Sequence, residues 1–295
     1  MLTPLVDFIE WQWPGARVDI IAGGRMEEIF SEFPSVRRCI ESPHPALKLL
    51  FNPHYGKLIR NSYDLSINVD ADSQSGRLTC RIINAPSTVH AGAPDSIDSA
   101  ASNHMALRPI EALCRWAVLR RTEPDPAMSL RLTEAERRHG VIALSELLDN
   151  ASTDRPVIGL YPYANKKRDY PLEWWQQLIE EFRRQMPSAL LVEIQPATGQ
   201  ALLDHIDRRM LSCDLRALAT QLAAMDAVIA VDGGVMHLAS ASGTLTWGLF
   251  RVTESNIYAP YGGHNRAWNF YQAKPSRLAS ELTARLAAAG RLPLA

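Results

Sequence analysis

The stretch VIAVDGGVMHLA, residues 228–239, decides how this chain is read. Four apolar residues make a short buried strand, Asp232 ends it, and Gly233-Gly234 turn the chain into a helix that opens with Val235, Met236 and His237. A helix starting there has unpaired backbone N–H groups and a partial positive charge at its head, which suits phosphate. Glycine has no β-carbon to hold such a group away from the backbone. His237, in the first turn, is placed to reach the same ligand. The plain alternative is a junction in which Asp232 caps the helix and the histidine packs; the stretch alone leaves both open.

Working outward, strands alternate with helices. Before the junction lie the strand VIGLYPY (157–163), a helix over 172–184, the strand ALLVEIQ (189–195), and helices over 199–210 and 215–225. After it comes the apolar strand TWGLF (246–250), and a last alanine-rich helix covers 277–289. The first half opens with an amphipathic helix carrying Leu5, Phe8, Ile9 and Trp13, then a strand over 18–22. A short helix at RMEEIFSEF, the strand YDLSINVD and helices over 109–121 and 134–148 follow. Strands separated by helices imply parallel sheets covered on both faces. The polar stretch NASTDRP (150–156) reads as a linker.

Length supports two domains: 295 residues exceed the roughly 100–200 expected of one. The expected division is 1–150, 151–275 and a C-terminal helix, 276–295, that either braces the first domain or packs on its own. A formal net charge of −1 gives no global field for nucleic acid or an anionic membrane, so any anion site is local. The four cysteines, Cys39, Cys80, Cys114 and Cys213, form no C-x-x-C pair and read as reduced structural thiols. No apolar run reaches the ~18–20 residues that span a bilayer, and no signal peptide precedes the first helix, so the expectation is a cytoplasmic protein.

In open parallel sheets ligands sit beyond the carboxyl ends of the strands, which directs attention to the loops there. The loop after VIGLYPY holds Asn165, Lys166, Lys167 and Arg168, three adjacent cations in a chain with only five lysines. They fit a diphosphate, Arg168 through paired hydrogen bonds; a solvated charge run is the alternative. The loop TESNIYAPYGG (253–263) offers hydroxyls, an amide and aromatic rings to a sugar or base.

Together these loops resemble glycosyltransferase family nine, the ADP-heptose heptosyltransferases of lipopolysaccharide core synthesis and their relatives. VDGGVMHLASASG, GLFRVT and APYGG keep the family's order and spacing; ANKKRDYPLEWW, TPLVDFIEWQWPGARVDI and YDLSINVD are similar to its upstream elements. The resemblance implies a GT-B arrangement, two Rossmann-like α/β domains with doubly wound parallel sheets facing a cleft, the donor held by the C-terminal one. It implies that Asp232, Gly233, Gly234, Met236 and His237 hold the donor diphosphate and sugar with Thr253, Asn165, Lys166, Lys167 and Arg168. Arg168 stands where the family has a lysine, and Gly233 where it has serine or threonine. The family begins with a strand and a G-D loop whose aspartate is the expected base; this sequence opens at Met1-Leu2-Thr3-Pro4, which leaves Asp70 and Asp72 as substitutes.

The implied activity is inverting transfer of a sugar, heptose by resemblance, from a nucleoside-diphosphate donor to a glycan, lipid-linked or protein hydroxyl, with no metal or cofactor required. Contact with the inner face of the membrane is compatible with it. A non-catalytic, donor-binding or scaffolding member is the main alternative. Asp70-Ala71-Asp72 would serve a metal-dependent transferase as a D-x-D pair, and a nucleotide-sugar epimerase shares the paired-domain architecture.

Overall fold

The computed structural model describes residues 1–41, 63–92, 103–120, 126–149, 155–164 and 168–291. They fall into two compact units, Met1–Met128 and Ser129–Ala295. The first unit contains α1 (Thr3–Gln12), β1 (Val18–Ala22), α2 (Met26–Phe30), β2 (Val36–Glu41), β3 (Leu65–Asn68), α3 (Gln74–Ile83), β4 (Ser87–His90) and α4 (Arg108–Trp116). Its strands form two parallel pairs, β1–β2 and β3–β4, with no ladder joining them among the described residues.

Val6 of α1 packs with Ile20, Phe30 and Phe33, while Leu65 and Ile67 pack with Val89, Ala91 and Ala112. One irregularity marks β2. Val18 pairs with Val36 but Asp19 with Arg38, so Arg37 is an extra residue, a bulge that breaks the alternation of faces. Both guanidinium groups therefore reach Asp19: Arg37 Nε donates to Oδ1 at 3.0 Å and Arg38 Nε to Oδ2 at 3.2 Å. Tyr63 donates its hydroxyl to the same Oδ2 at 2.6 Å. Burial would raise the Asp19 carboxyl, but these donors outweigh it and hold the group well below the usual carboxylate range.

The second unit contains α5 (Glu134–Leu147), β5 (Val157–Tyr161), α6 (Leu172–Gln185), β6 (Leu190–Ile194), β7 (Arg208–Met210), α7 (Leu215–Ala223), β8 (Ala227–Val231), α8 (Gly234–Ser242), β9 (Thr246–Phe250), α9 (Ser255–Tyr258), β10 (Arg266–Asn269) and α10 (Pro275–Ala288). Its six strands form one parallel sheet in the order β10-β9-β8-β5-β6-β7. The central strands are buried along their length, as their continuous apolar sequences require. Trp175, Leu178 and Phe182 of α6 and Leu278, Leu282 and Leu286 of α10 cover one face, packing on Ile158, Leu160, Ile229 and Leu249.

The division between units falls ahead of α5, earlier than the polar stretch at 150–156, most of which lies outside the described residues. Helix α5 packs on α7 of the second unit. Gly140 makes this possible, because a β-carbon there would stand 2.1 Å from the Thr220 carbonyl oxygen. Glu136, in the capping box of α5, is paired with Arg216 of α7. Helix α10 packs on α6 of its own unit.

One expected helix is absent. Residues 199–207 hold no helix, and Arg208–Met210 instead extend the sheet beside Val192–Ile194. The cause is Glu193, wholly buried in β6. Its Oε1 accepts from the Leu202 and Leu203 N–H groups at 2.7 and 3.0 Å, and its Oε2 from Arg209 Nε at 2.9 Å. Donors that a helix would use internally go to this carboxylate, since a buried charge must be satisfied.

Candidate functional site

From β5 the chain passes through α6 to β6 on one side; from β8 it passes through α8 to β9 on the other. The loops after β5 and β8 therefore diverge from neighbouring strands, the switch point at which open α/β sheets take their ligands. Asp232 ends β8 there, its N–H still in the ladder with Leu249 O at 3.0 Å. Gly233 is extended, with φ 174° and ψ −176°, and α8 begins at Gly234.

Neither glycine is demanded by the fold. An added β-carbon at Gly234 would meet nothing within 4 Å, and one at Gly233 only the Val231 carbonyl oxygen at 3.8 Å. An extended φ is open to any residue, so what the pair provides is bare backbone beside open space. The His237 N–H reaches back to Gly233 O at 3.4 Å. Ahead of it, the N–H groups of Gly234, Val235 and Met236 have no carbonyl four residues back within the helix. They form the positive head of a nine-residue helix.

Asp232 is buried and acts as a hub. Thr253, after β9, donates its hydroxyl to Oδ2 at 2.6 Å. Arg168, after β5, brings Nη1 to 3.2 Å from the same oxygen while keeping 37% of its side chain exposed. Three loops from three adjacent strands thus meet on one carboxylate. The ion pair neutralises Asp232, and a guanidinium has five N–H donors, so Arg168 retains donors for an incoming oxyanion. His237 lies half-buried in the first turn of α8.

The post-β5 and post-β9 loops are also braced directly. Asp169 Oδ1 accepts from the Ala164 N–H at 3.0 Å, and Arg251 Nη1 donates to Asp169 O at 2.6 Å. The buried Tyr170 donates its hydroxyl to Phe250 O at 3.2 Å. Ser240 of α8 donates to Tyr261 O at 2.7 Å, which ties the far part of the post-β9 loop to the same helix. On the opposite flank, Tyr163 donates its hydroxyl to Glu193 Oε1 at 2.6 Å. Burial first, and then the Glu193 carboxylate, push that phenol well above its ordinary value, so it remains a donor.

Of the residues singled out in the sequence, Asp232, Gly233, Gly234, His237, Thr253 and Arg168 come together here. Asn165, Lys166 and Lys167 lie outside the described residues. Met236 is wholly buried, its sulfur so close that a β-carbon on Gly248 would stand 2.4 Å away. Its side chain belongs to the core, and only its N–H is left to a ligand. Asp70 and Asp72 are in the first unit, both exposed, where Asp70 Oδ1 accepts from the Asp72 N–H at 3.1 Å. That turn leads into α3, capped by Ser73. Among the described residues no group of three or more His, Cys, Asp or Glu side chains is placed to hold a metal ion, and no helix is long and apolar enough to cross a membrane.

Sequence reasoning missed Glu193 and the Arg251–Asp169 brace. A carboxylate inside the apolar run LLVEI (190–194) was the available signal for the first, because a buried acid needs donors. The brace joins loops 82 residues apart, and nothing in either loop announces it.

Solved structures share this fold. A glycosyl transferase family 9 structure from Veillonella parvula superposes with a TM-score of 0.72 at 15% identity, over 95% of this chain and 84% of that one. The ADP-heptose LPS heptosyltransferase II of E. coli gives 0.71 at 18% identity, over 97% and 94%. E. coli heptosyltransferase WaaC, solved with ADP, gives 0.65 at 17%, again over 97% and 94%. No curated protein matches the chain. The profile of Glycosyltransferase family 9 (heptosyltransferase) matches residues 56–283, which include both sheet-edge loops and all of α8. The fold is the α/β, GT-B type of these heptosyltransferases, and the chain belongs to glycosyltransferase family 9.

Proposed function

We propose that the protein is an inverting glycosyltransferase that takes heptose, or a closely related sugar, from a nucleoside-diphosphate donor of the ADP-heptose kind. The acceptor is a hydroxyl on a glycan, a lipid-linked sugar or a protein. One observation carries the reading: at the switch point, a helix head with two glycines that the fold does not need faces open space beside Arg168.

In this reading the N–H groups of residues 234–236 and the guanidinium of Arg168 hold the donor diphosphate, with Lys166 and Lys167 adding charge. Negative charge grows on the diphosphate as the glycosidic bond breaks, so fixed donors there stabilise the transition state more than the bound donor. The cations take the part that a divalent metal plays in other transferases. Asp232 holds Arg168 and Thr253 in place. For the acceptor proton, Asp72 is the better of the two acids, since Asp70 already spends a carboxylate oxygen on the turn.

Calorimetric titration with ADP tests the donor site. Asp232→Ala and His237→Ala are each expected to weaken ADP at least about tenfold, the loss of one charge-assisted contact or its support. Unchanged affinity in both removes the site. ADP binding without ADP release from ADP-heptose, across glycan acceptors, would turn the reading to a donor-binding member that does not transfer; the exposure of Asp70 and Asp72 is the observation on that side.

A further inference from the structure

β5 and β9 are not neighbours in the sheet of the second unit; β8 lies between them. Contacts between the loops that follow β5 and β9 therefore pass across the end of β8, where Asp232 stands. Three consecutive residues make the crossing. Arg168 brings Nη1 to 3.2 Å from Asp232 Oδ2, the Asp169 carbonyl accepts from Arg251 Nη1 at 2.6 Å, and Tyr170 donates its hydroxyl to Phe250 O at 3.2 Å. Thr253, two residues after Arg251, donates to Asp232 Oδ2 at 2.6 Å. These links close a ring that runs from Asp232 through Arg168, Asp169, Arg251 and Thr253 back to Asp232.

Asp169 is held twice. Its Oδ1 accepts from the Ala164 N–H at 3.0 Å, which draws together the two ends of the stretch that carries Arg168, and its carbonyl is gripped by Arg251. The Arg251 guanidinium is itself steadied over the Phe270 ring, 5.2 Å from the centroid. Ordering a long exposed side chain on one backbone oxygen costs rotamer entropy. The buried Tyr170 already anchors this segment to β9, so folding gains little from the second grip. What the grip fixes is the backbone immediately after Arg168.

Resting on the transferase reading above, we infer that Arg251 is a positioning residue of the donor site that acts through Arg168. By holding Asp169 O it sets the point from which the Arg168 side chain leaves the backbone. The guanidinium then meets the diphosphate already in place, and less freedom is lost when the ligand binds. Asp169 is the other half of the device. Its charge separates pinning from plain attraction: by field alone, removing a carboxylate beside an anion site tightens ADP, whereas removing the pin weakens it.

Calorimetry with ADP on the full chain, beside thermal melts of each variant, tests the inference through a double-mutant cycle. Arg168→Gln should weaken ADP about 10- to 100-fold. Arg251→Met and Asp169→Ala should each weaken it about tenfold in the parent, and less than about twofold once residue 168 is glutamine. Arg251→Lys, which keeps the charge and one donor for Asp169 O, should recover most of the loss. Equal losses with and without Arg168 would overturn the inference by giving Arg251 its own contact with the ligand. Parent-like affinity in Arg251→Met, or tighter ADP in Asp169→Ala, would overturn it as well. In each of those cases a full loss in Arg168→Gln leaves the donor site standing; an Arg168→Gln variant that binds ADP like the parent removes both readings.

Discussion

Replacing Gly234 with alanine separates what the fold needs from what a ligand needs. Position 234 opens α8, its φ is not positive, and a β-carbon there meets no atom within 4 Å. Folding should therefore gain from alanine, by at most about 1 kcal/mol, through helix propensity and a less flexible unfolded chain. In a unit of this size such a gain raises Tm by roughly 2–4 °C. Donor binding should move the other way. A phosphate accepting from the N–H groups of residues 234–236 must come within hydrogen-bond distance of the backbone, where the new methyl would stand. Loss of one charge-assisted hydrogen bond costs about 1.5–3 kcal/mol, or roughly 10- to 150-fold in affinity. Calorimetry with ADP and with pyrophosphate, beside thermal melts of both proteins, reads the two effects. An alanine variant that melts higher and binds ADP as tightly as the parent would refute the reasoning. One that melts lower would show that the open space had been misjudged.

Other substitutions probe the frame around the site. Gly140→Ala places a β-carbon 2.1 Å from Thr220 O, a clash with backbone that cannot swing aside, and should destabilise the second unit by about 1–3 kcal/mol in urea unfolding. Glu193→Gln leaves Arg209 without its charge partner and sets an amide among N–H donors, a loss of about 3 kcal/mol read in the same assay. Glu136, held at about 2 chiefly by its hydrogen bond to Arg216, has a depressed folded pKa. Its contribution is complete above the ordinary 4.5 and fades as pH falls toward 2. Glu136→Gln should flatten the stability–pH curve in that window and leave its slope near neutrality unchanged.

The legible part of the fold was the part written in continuous apolar runs. AVIAV, TWGLF and LLVEI are buried strands, and the DGG step ends one and opens a helix as its residue types demand. Of the short, partly exposed strands, Val18–Ala22 and Leu65–Asn68 were legible but Arg208–Met210 was not. Arg208–Met210 is two-thirds exposed arginine in composition and became a strand only because β6 offered an edge and Glu193 took the helix donors. The compact units divide between Met128 and Ser129, ahead of the polar stretch at 150–156, and polar composition marks a surface loop equally well inside a domain. What placed α5 was the fit of Gly140 against α7, a contact between residues 80 apart that no local pattern carries. Within the site, each functional residue type was visible, but their meeting was not: Asp232 as the common partner of Arg168 and Thr253 is a product of strand order.

The bulge at Arg37 has a bearing on how copies of this protein meet. Among the described residues β2 is the outer border of its pair, where a ladder could be continued by a neighbour. With one residue too many and two guanidinium groups gathered on Asp19, that border has lost the regular spacing an approaching strand would have to match. A crowded population of these molecules is thereby denied a seed for stacking along this rim, and the cost is a single displaced arginine.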